Sequence, residues 1–249
     1  NEVFHYVLPW WLVFFVLGLI NLPLTARIFK NFPDKGYIFS KILAILIITY
    51  VVFVLGLLAH LPLLSPLPLL ALVAGLGGIN FFILRAQKSK IKNQNLVQSL
   101  KTLQNKSDLS FDLGFDICSL RFALFEETLF LMALIFWSYI RGSAPDIHGL
   151  EKFMDFGFIN SIITGQTLPP HDMWLAGSSI NYYYFGHLYT AVLTILSGIP
   201  ASVTYNLMIA TIFGLCFVES FSIGSILYYL SQKSKILPRG KAGKNQNLV

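Results

Sequence analysis

The chain has 249 residues, 55% of them apolar and only 12% charged, against roughly 25% charged in soluble domains. With a mean hydropathy of +0.66 and several apolar runs near 20 residues long, it reads as an all-α polytopic membrane protein; alternating short strands are absent from the pattern, which excludes a membrane β-barrel. The net charge of +6 comes from basic residues grouped in short stretches beside apolar runs, the positive-inside pattern of a membrane protein and not a nucleic-acid surface.

The chain starts at Asn1 with no cleavable leader pattern, so it is expected to be a piece of a longer membrane protein. Residues 7–29 form the first predicted span, with Trp10 and Trp11 at headgroup level and Pro23 as an internal kink. A basic turn carrying Arg27, Lys30, Lys35 and Lys41 leads to the second span, 41–60. After a proline-rich hairpin the third span covers 67–84, where Gly75, Gly77 and Gly78 are expected to let helices approach closely. These three spans make up an N-terminal unit, 1–84.

Residues 85–121 hold seven Lys or Arg against three Asp and read as a basic cytoplasmic loop. Asp108, Asp112 and Asp116 fall four apart, on one face of an interfacial helix. The fourth span, 122–140, carries Glu126 and Glu127 at or inside its boundary, where carboxylates are costly, with Arg121 at hand as a partner. A polar loop over 141–184 follows, then a fifth span at 185–199, ended by Pro200, and a sixth at 205–230 with Glu219 inside it. Cys118 and Cys216 have no spacing partners, so neither a disulfide framework nor a zinc site is expected. The strings QKSKI and KNQNLV each occur twice, at 87–97 and within 232–249, a local duplication with no repeat architecture behind it.

Charge sets an expected topology: N-terminus outside, residues 85–121 inside, and the 141–184 loop on the extracytoplasmic face. The tail, 231–249, breaks this rule. Six crossings would leave its five Lys or Arg outside.

The 141–184 loop concentrates the polar residues. Residues 150–163 read as a short interfacial helix with Phe153, Phe156, Phe158, Ile159 and Ile162 as apolar contacts, and Glu151 and Asp155 one turn apart on its polar face. Pro169-Pro170 forces an extended stretch before His171, Asp172 and Trp174; Asn181 precedes the triplet Tyr182, Tyr183, Tyr184, and His187 enters the next span. The tyrosines suit either an interfacial aromatic belt or contact with sugar and lipid, and Asp172 after Pro-Pro-His suits a turn as well as a site.

The ordered set NLPLTARIF, PDKGY, EKFMD, PPHDMWLAG, INYYYFGH and the YNL at 205–207 closely resembles the YYY-motif family of polytopic membrane proteins, a family of unknown function. A looser resemblance runs to GT-C type membrane glycosyltransferases: an acidic motif after a span, an interfacial helix, a Gly/Pro stretch, then aromatics entering the next span. That resemblance implies glycosyl transfer from a polyprenyl-phosphate sugar at the extracytoplasmic face of the plasma membrane, with Asp155 as catalytic base and Glu151 or Asp172 as its helper. The protein O-mannosyltransferase relatives show an adjacent Asp-Glu pair where this chain has Glu151-Lys152-x-x-Asp155, which leaves the choice of carboxylate open. Lys152, His171 and His187 are the candidate partners for the departing phosphate; if a divalent metal takes part, Asp155, Asp172 and His171 are the expected ligands. The competing readings are a transporter carrying ions or protons on Glu126, Glu127 and Glu219, and a non-catalytic scaffold subunit.

Overall fold

The computed structural model describes residues 5–99, 117–149 and 151–236. The expected acidic face Asp108–Asp112–Asp116 and most of the basic tail lie outside the described residues. Within them the chain forms seven helices: α1 (Val7–Ile28), α2 (Tyr37–Ala59), α3 (Pro66–Ser99), α4 (Ile117–Ser143), α5 (Lys152–Gly165), α6 (Phe185–Ser197) and α7 (Ala201–Ile236). The all-helical polytopic architecture is as expected. Among the described residues five helices are long and apolar enough to cross a membrane: α1, α2, α4, α7 and the Pro66–Ala86 part of α3.

The fifth apolar segment differs from the others. Helix α6 has 13 residues, about 20 Å of helix against a hydrocarbon layer of about 30 Å. Gly198, left-handed at φ 66°, ends it by returning its amide to Thr194, and Pro200 separates it from α7.

The side of the bundle on which α7 begins follows from its partners. Arg141, in the last turn of α4, donates through Nε to Asn206 Oδ1 at 3.1 Å, and Asn206 Nδ2 donates to the Pro145 carbonyl at 3.0 Å. Further along the same two helices, Trp137 stacks on Phe213 at 4.3 Å and Phe122 on Phe221 at 6.0 Å. Helices α4 and α7 are therefore antiparallel, and α7 starts where α4 stops. Whatever path α6 takes, it leaves and returns at one end of the bundle, hereafter the loop end. With α1, α2, α3, α4 and α7 as the candidate spans, the end of α7 lies at the same end as the start of α4. The basic tail then no longer conflicts with the positive-inside rule.

Helix α1 is the core of the N-terminal half. It packs against α2 at Gly18, where a Cβ would lie 3.0 Å from Lys41 Cγ and 3.1 Å from Ser40 Oγ. Pro23 sits inside α1, and the Leu24 amide beside it is taken by Asn80 Oδ1 of α3 at 2.9 Å, so a neighbouring helix satisfies a backbone donor next to the proline. The α1–α2 turn closes on Gly36 at φ 74° and on the rings of Phe29, Phe32 and Phe39.

Three expectations are corrected here. Gly75 and Gly78 face open space and Gly77 meets only Ile20 at 3.7 Å, so close approach is carried instead by Gly18, by Gly56 against Leu168 and by Gly214 against Phe130. Trp10 is fully buried, its indole bonded to Thr211 Oγ1 at 2.8 Å, and ties α1 to α7 instead of sitting among headgroups. Glu127 pairs with Lys41, not Arg121: Nζ to Oε2 is 2.8 Å, with Trp11 Nε1 donating to Oε1 at 2.6 Å and the Tyr37 hydroxyl to Oε2 at 2.8 Å.

Candidate functional site at the loop end

The loop end is built from α5, the segment 166–184, and the first turns of α6 and α7. Helix α5 forms where expected, two residues later at each end, and Gln166 closes it in the left-handed region by returning its amide to Ile162. Its apolar residues Phe158, Ile159 and Ile162 are buried. Leu168 fills the space beside Gly56, near the C-terminal end of α2. That anchors the following stretch, which turns back on itself: the Asp172 amide reaches the Ser178 carbonyl at 2.8 Å and the Ile180 amide reaches the Pro170 carbonyl at 2.9 Å.

This packing turns the first turn of α5 toward the first turn of α6. Asp155 Oδ1 lies 3.1 Å from His187 Nε2. The contact is a hydrogen bond when the imidazole is neutral and an ion pair when it is protonated. His187 is held edge-on by Phe158, with ring centroids 5.2 Å apart at 90°, and its Nδ1 is buried without a partner among the described residues. The Asp155 side chain keeps 32% of its surface and lines an open cavity of about 830 Å³ together with His148, Gly149, Glu151, Lys152 and Met154. One carboxylate oxygen is thus bonded to a histidine, and no hydrogen bond to the other is found among the described residues. Orientation of a base by a third group is what general acid–base chemistry requires.

The remaining candidates divide. Glu151 immediately precedes α5, makes no capping bond and faces the cavity, as does Lys152. Tyr182 and Tyr183 are exposed with ring centroids 3.8 Å apart, and Tyr182 lies 6.3 Å from Phe158 while Tyr183 stacks toward His187 at 6.5 Å. Hydrogen bonding to Tyr182 pushes the Tyr183 hydroxyl up to about 12, with burial and the charges of Tyr182, Glu151 and Asp155 adding to the effect. It stays a neutral donor across the working pH range. Tyr184 points inward to Phe53, with centroids 6.1 Å apart, and burial raises its hydroxyl. Asn181 is exposed beside them.

Asp172 and His171 are not brought to Asp155. Asp172 Oδ1 accepts the amides of Trp174 at 2.8 Å and Leu175 at 3.1 Å, which locks the turn. His171 offers its carbonyl to the Ser161 hydroxyl at the other end of α5, and its backbone bridges Ser179. Among the described residues no three His, Cys, Asp or Glu side chains converge as a metal-binding group. The set Asp155, Asp172 and His171 therefore does not fit a divalent cation.

Two residues of this end are not singled out as site residues by the sequence, although Tyr205 opens its YNL string. Tyr205, in the first turn of α7, lies edge-on to Phe156 at 6.0 Å and within electrostatic reach of both Asp155 and Arg141. Arg141, held by Asn206, brings the only guanidinium of the loop end to the same neighbourhood among the described residues. Their convergence depends on α4 and α7 being paired, which no spacing along the chain reveals.

A family model described as Uncharacterized membrane protein (DUF2298) matches residues 7–241. No curated protein and no solved structure matches the chain.

Proposed function

Since the chain belongs to this uncharacterised membrane family, we propose, from the geometry of its loop end, that it is a GT-C-like glycosyltransferase. It moves a sugar from a polyprenyl-phosphate donor to an acceptor hydroxyl at the extracytoplasmic face of the plasma membrane. The observation that carries this reading is the Asp155–His187 pair at 3.1 Å, placed at the rim of an open cavity. The sequence pattern around Glu151–Asp155 and Tyr182–Tyr184, similar to the YYY-motif and GT-C arrangements, supports it.

In this reading the free oxygen of Asp155 takes the proton of the acceptor hydroxyl as that oxygen bonds to the anomeric carbon. The bond from the anomeric carbon to phosphate oxygen breaks, and the electron pair leaves with the polyprenyl phosphate. His187 positions Asp155. Lys152, free of ion pairs among the described residues and on the cavity wall, supplies positive charge to the departing phosphate. Glu151 on the same wall, with Tyr182 and Tyr183 as neutral donors, binds the sugar and its acceptor. The lipid chain lies in the surrounding bilayer.

The test is Asp155→Asn in the reconstituted protein, offered a panel of polyprenyl-phosphate hexoses, with release of polyprenyl phosphate as the readout. Transfer falls by about 10²–10⁴-fold, the worth of a positioned base, while the thermal midpoint is unchanged. A variant that turns over at the wild-type rate overturns the assignment.

A further inference from the structure

A second polar cluster lies at the opposite end of the bundle, independent of the loop-end site. Asp34 sits in the α1–α2 turn, fully buried. Its Oδ1 accepts the Gly36 amide at 3.1 Å and its Oδ2 the Ile38 amide at 3.3 Å. Both oxygens are thus directed at the first turn of α2, where free amides and the helix dipole stabilise a negative charge. Within interaction range of this carboxylate lies a second carboxyl, Glu126 of α4, which also has the Ser222 hydroxyl of α7 as a neighbour. Glu126 is fully buried, and among the described residues neither of its oxygens has a hydrogen-bond partner; the Ser222 hydroxyl, also fully buried, is likewise unpartnered among them.

The neighbouring charges do not relieve Glu126. Glu127, next in the chain, faces away and takes Lys41, Tyr37 and Trp11 for itself. Lys41 is the only cation in contact with the cluster among the described residues, and its ammonium is spent on Glu127. Helix α7 carries a further carboxyl, Glu219, three residues before Ser222, with one buried oxygen unpartnered among the described residues. The cluster therefore holds Asp34, Glu126 and Glu127 against a single ammonium. Two ionised carboxylates pressed together in an apolar interior repel, and neither finds water.

We propose that Asp34 and Glu126 bind one exchangeable proton between them, carried on Glu126 and donated to the helix-capped Asp34. The ligand is a proton, and the site is a buried carboxyl–carboxylate pair joining the α1–α2 turn to α4 and α7. The proton supplies the missing donor, and the second Glu126 oxygen becomes the acceptor for Ser222. Its loss sets two like charges against each other at the junction of three segments.

The experiment is difference infrared spectroscopy of the full chain in nanodiscs at neutral pH, in a Glu219→Gln background that removes the other unpartnered carboxyl. The expected result is a protonated-carboxyl carbonyl band that Glu126→Gln abolishes and Asp34→Asn shifts, since Asn keeps an oxygen for one of the two amides but removes the anionic acceptor. Asp34→Asn leaves the Glu126 carboxyl in place, so the test stands even if Glu126→Gln does not fold. Absence of the band, or a band indifferent to both changes, overturns the proposal. So does its replacement by a sodium-dependent thermal midpoint when choline is exchanged for sodium, which would make a metal cation the ligand.

Discussion

Consider the removal of one member of the Lys41–Glu127 pair. Lys41 is fully buried and its ammonium touches one carboxylate and three ring faces, Phe15, Tyr37 and Phe130, at 5.0–5.6 Å. Glu127→Gln keeps the shape and an acceptor for Trp11 or Tyr37, but strands the ammonium. Breaking a buried pair in this way costs about 3–5 kcal/mol, or roughly 6–20 °C in thermal midpoint at about 2–4 °C per kcal/mol for chains near this size. Lys41→Met strands the carboxylate instead, yet leaves it the Trp11 and Tyr37 donors, each worth about 1.5–3 kcal/mol to a charged group. It is the milder change. The double variant Lys41→Met/Glu127→Gln buries no uncompensated charge and recovers most of the loss, because neutral replacement of a buried pair is close to free. Midpoints of the four proteins in one detergent give the coupling directly. If the double variant is as damaged as the sum of the singles, the two charges do not compensate each other and this account of the interior is wrong.

Further outcomes follow from other contacts. Gly56→Ala forces a Cβ to 2.9 Å from Leu168 Cδ1 and 3.2 Å from its Cβ and lowers stability by about 1–3 kcal/mol, whereas Gly75→Ala inside α3, with no described atom within 4 Å of its Cβ, does not lower the midpoint and raises it by up to the helix-propensity difference. Asp172→Ala removes the acceptor for the Trp174 and Leu175 amides, and limited proteolysis then cuts the 172–178 turn faster, by the equivalent of about 1 kcal/mol. Single cysteines at Lys30 and Gln232, in a chain with Cys118 and Cys216 replaced by Ser, label from one side of sealed vesicles and a cysteine at Ala176 from the other; opposite labelling of the first two refutes the five-crossing arrangement. Tyr182→Phe removes the neighbour whose hydrogen bonding holds the Tyr183 hydroxyl near 12, so Tyr183, followed by its own ring NMR signal in an alkaline titration, ionises at lower pH in the variant than in the wild type.

How much of this was readable in advance depended on the range of the interaction. Apolar runs mark α1, α2, α3, α4 and α7 because lipid exposure is a property of each segment alone. The same rule overcounts at α6, where a run of the right polarity ends at Gly198 before it is long enough. The loop helix and its Asp155 were legible from local periodicity, and His187 from its place at the mouth of a span. Asp172 was legible only as an alternative between turn and site, and the amides of Trp174 and Leu175 on its Oδ1 show the turn contact. Lys41 was not legible: a lysine after Pro-Asp-Lys-Gly reads as a flanking positive charge, and only the packing of α1, α2 and α4 makes it a buried cation. The shared neighbourhood of Arg141, Tyr205 and Asn206 stayed hidden for the same reason, although YNL was singled out as a string, since it exists only once α4 and α7 are paired.

The antiparallel contact of α4 with α7 also bears on how such a chain can change. Everything from residue 144 to residue 200 is an excursion enclosed between the two arms of one helical hairpin. It leaves from Arg141 and comes back to Asn206, joined by a side-chain hydrogen bond. An insertion with matched endpoints can lengthen, shorten or be exchanged without reversing the orientation of any flanking helix. The loop end is in that sense a cartridge. Its chemistry can be rewritten while the α1–α4 framework and the α7 arm keep their handedness and their sides.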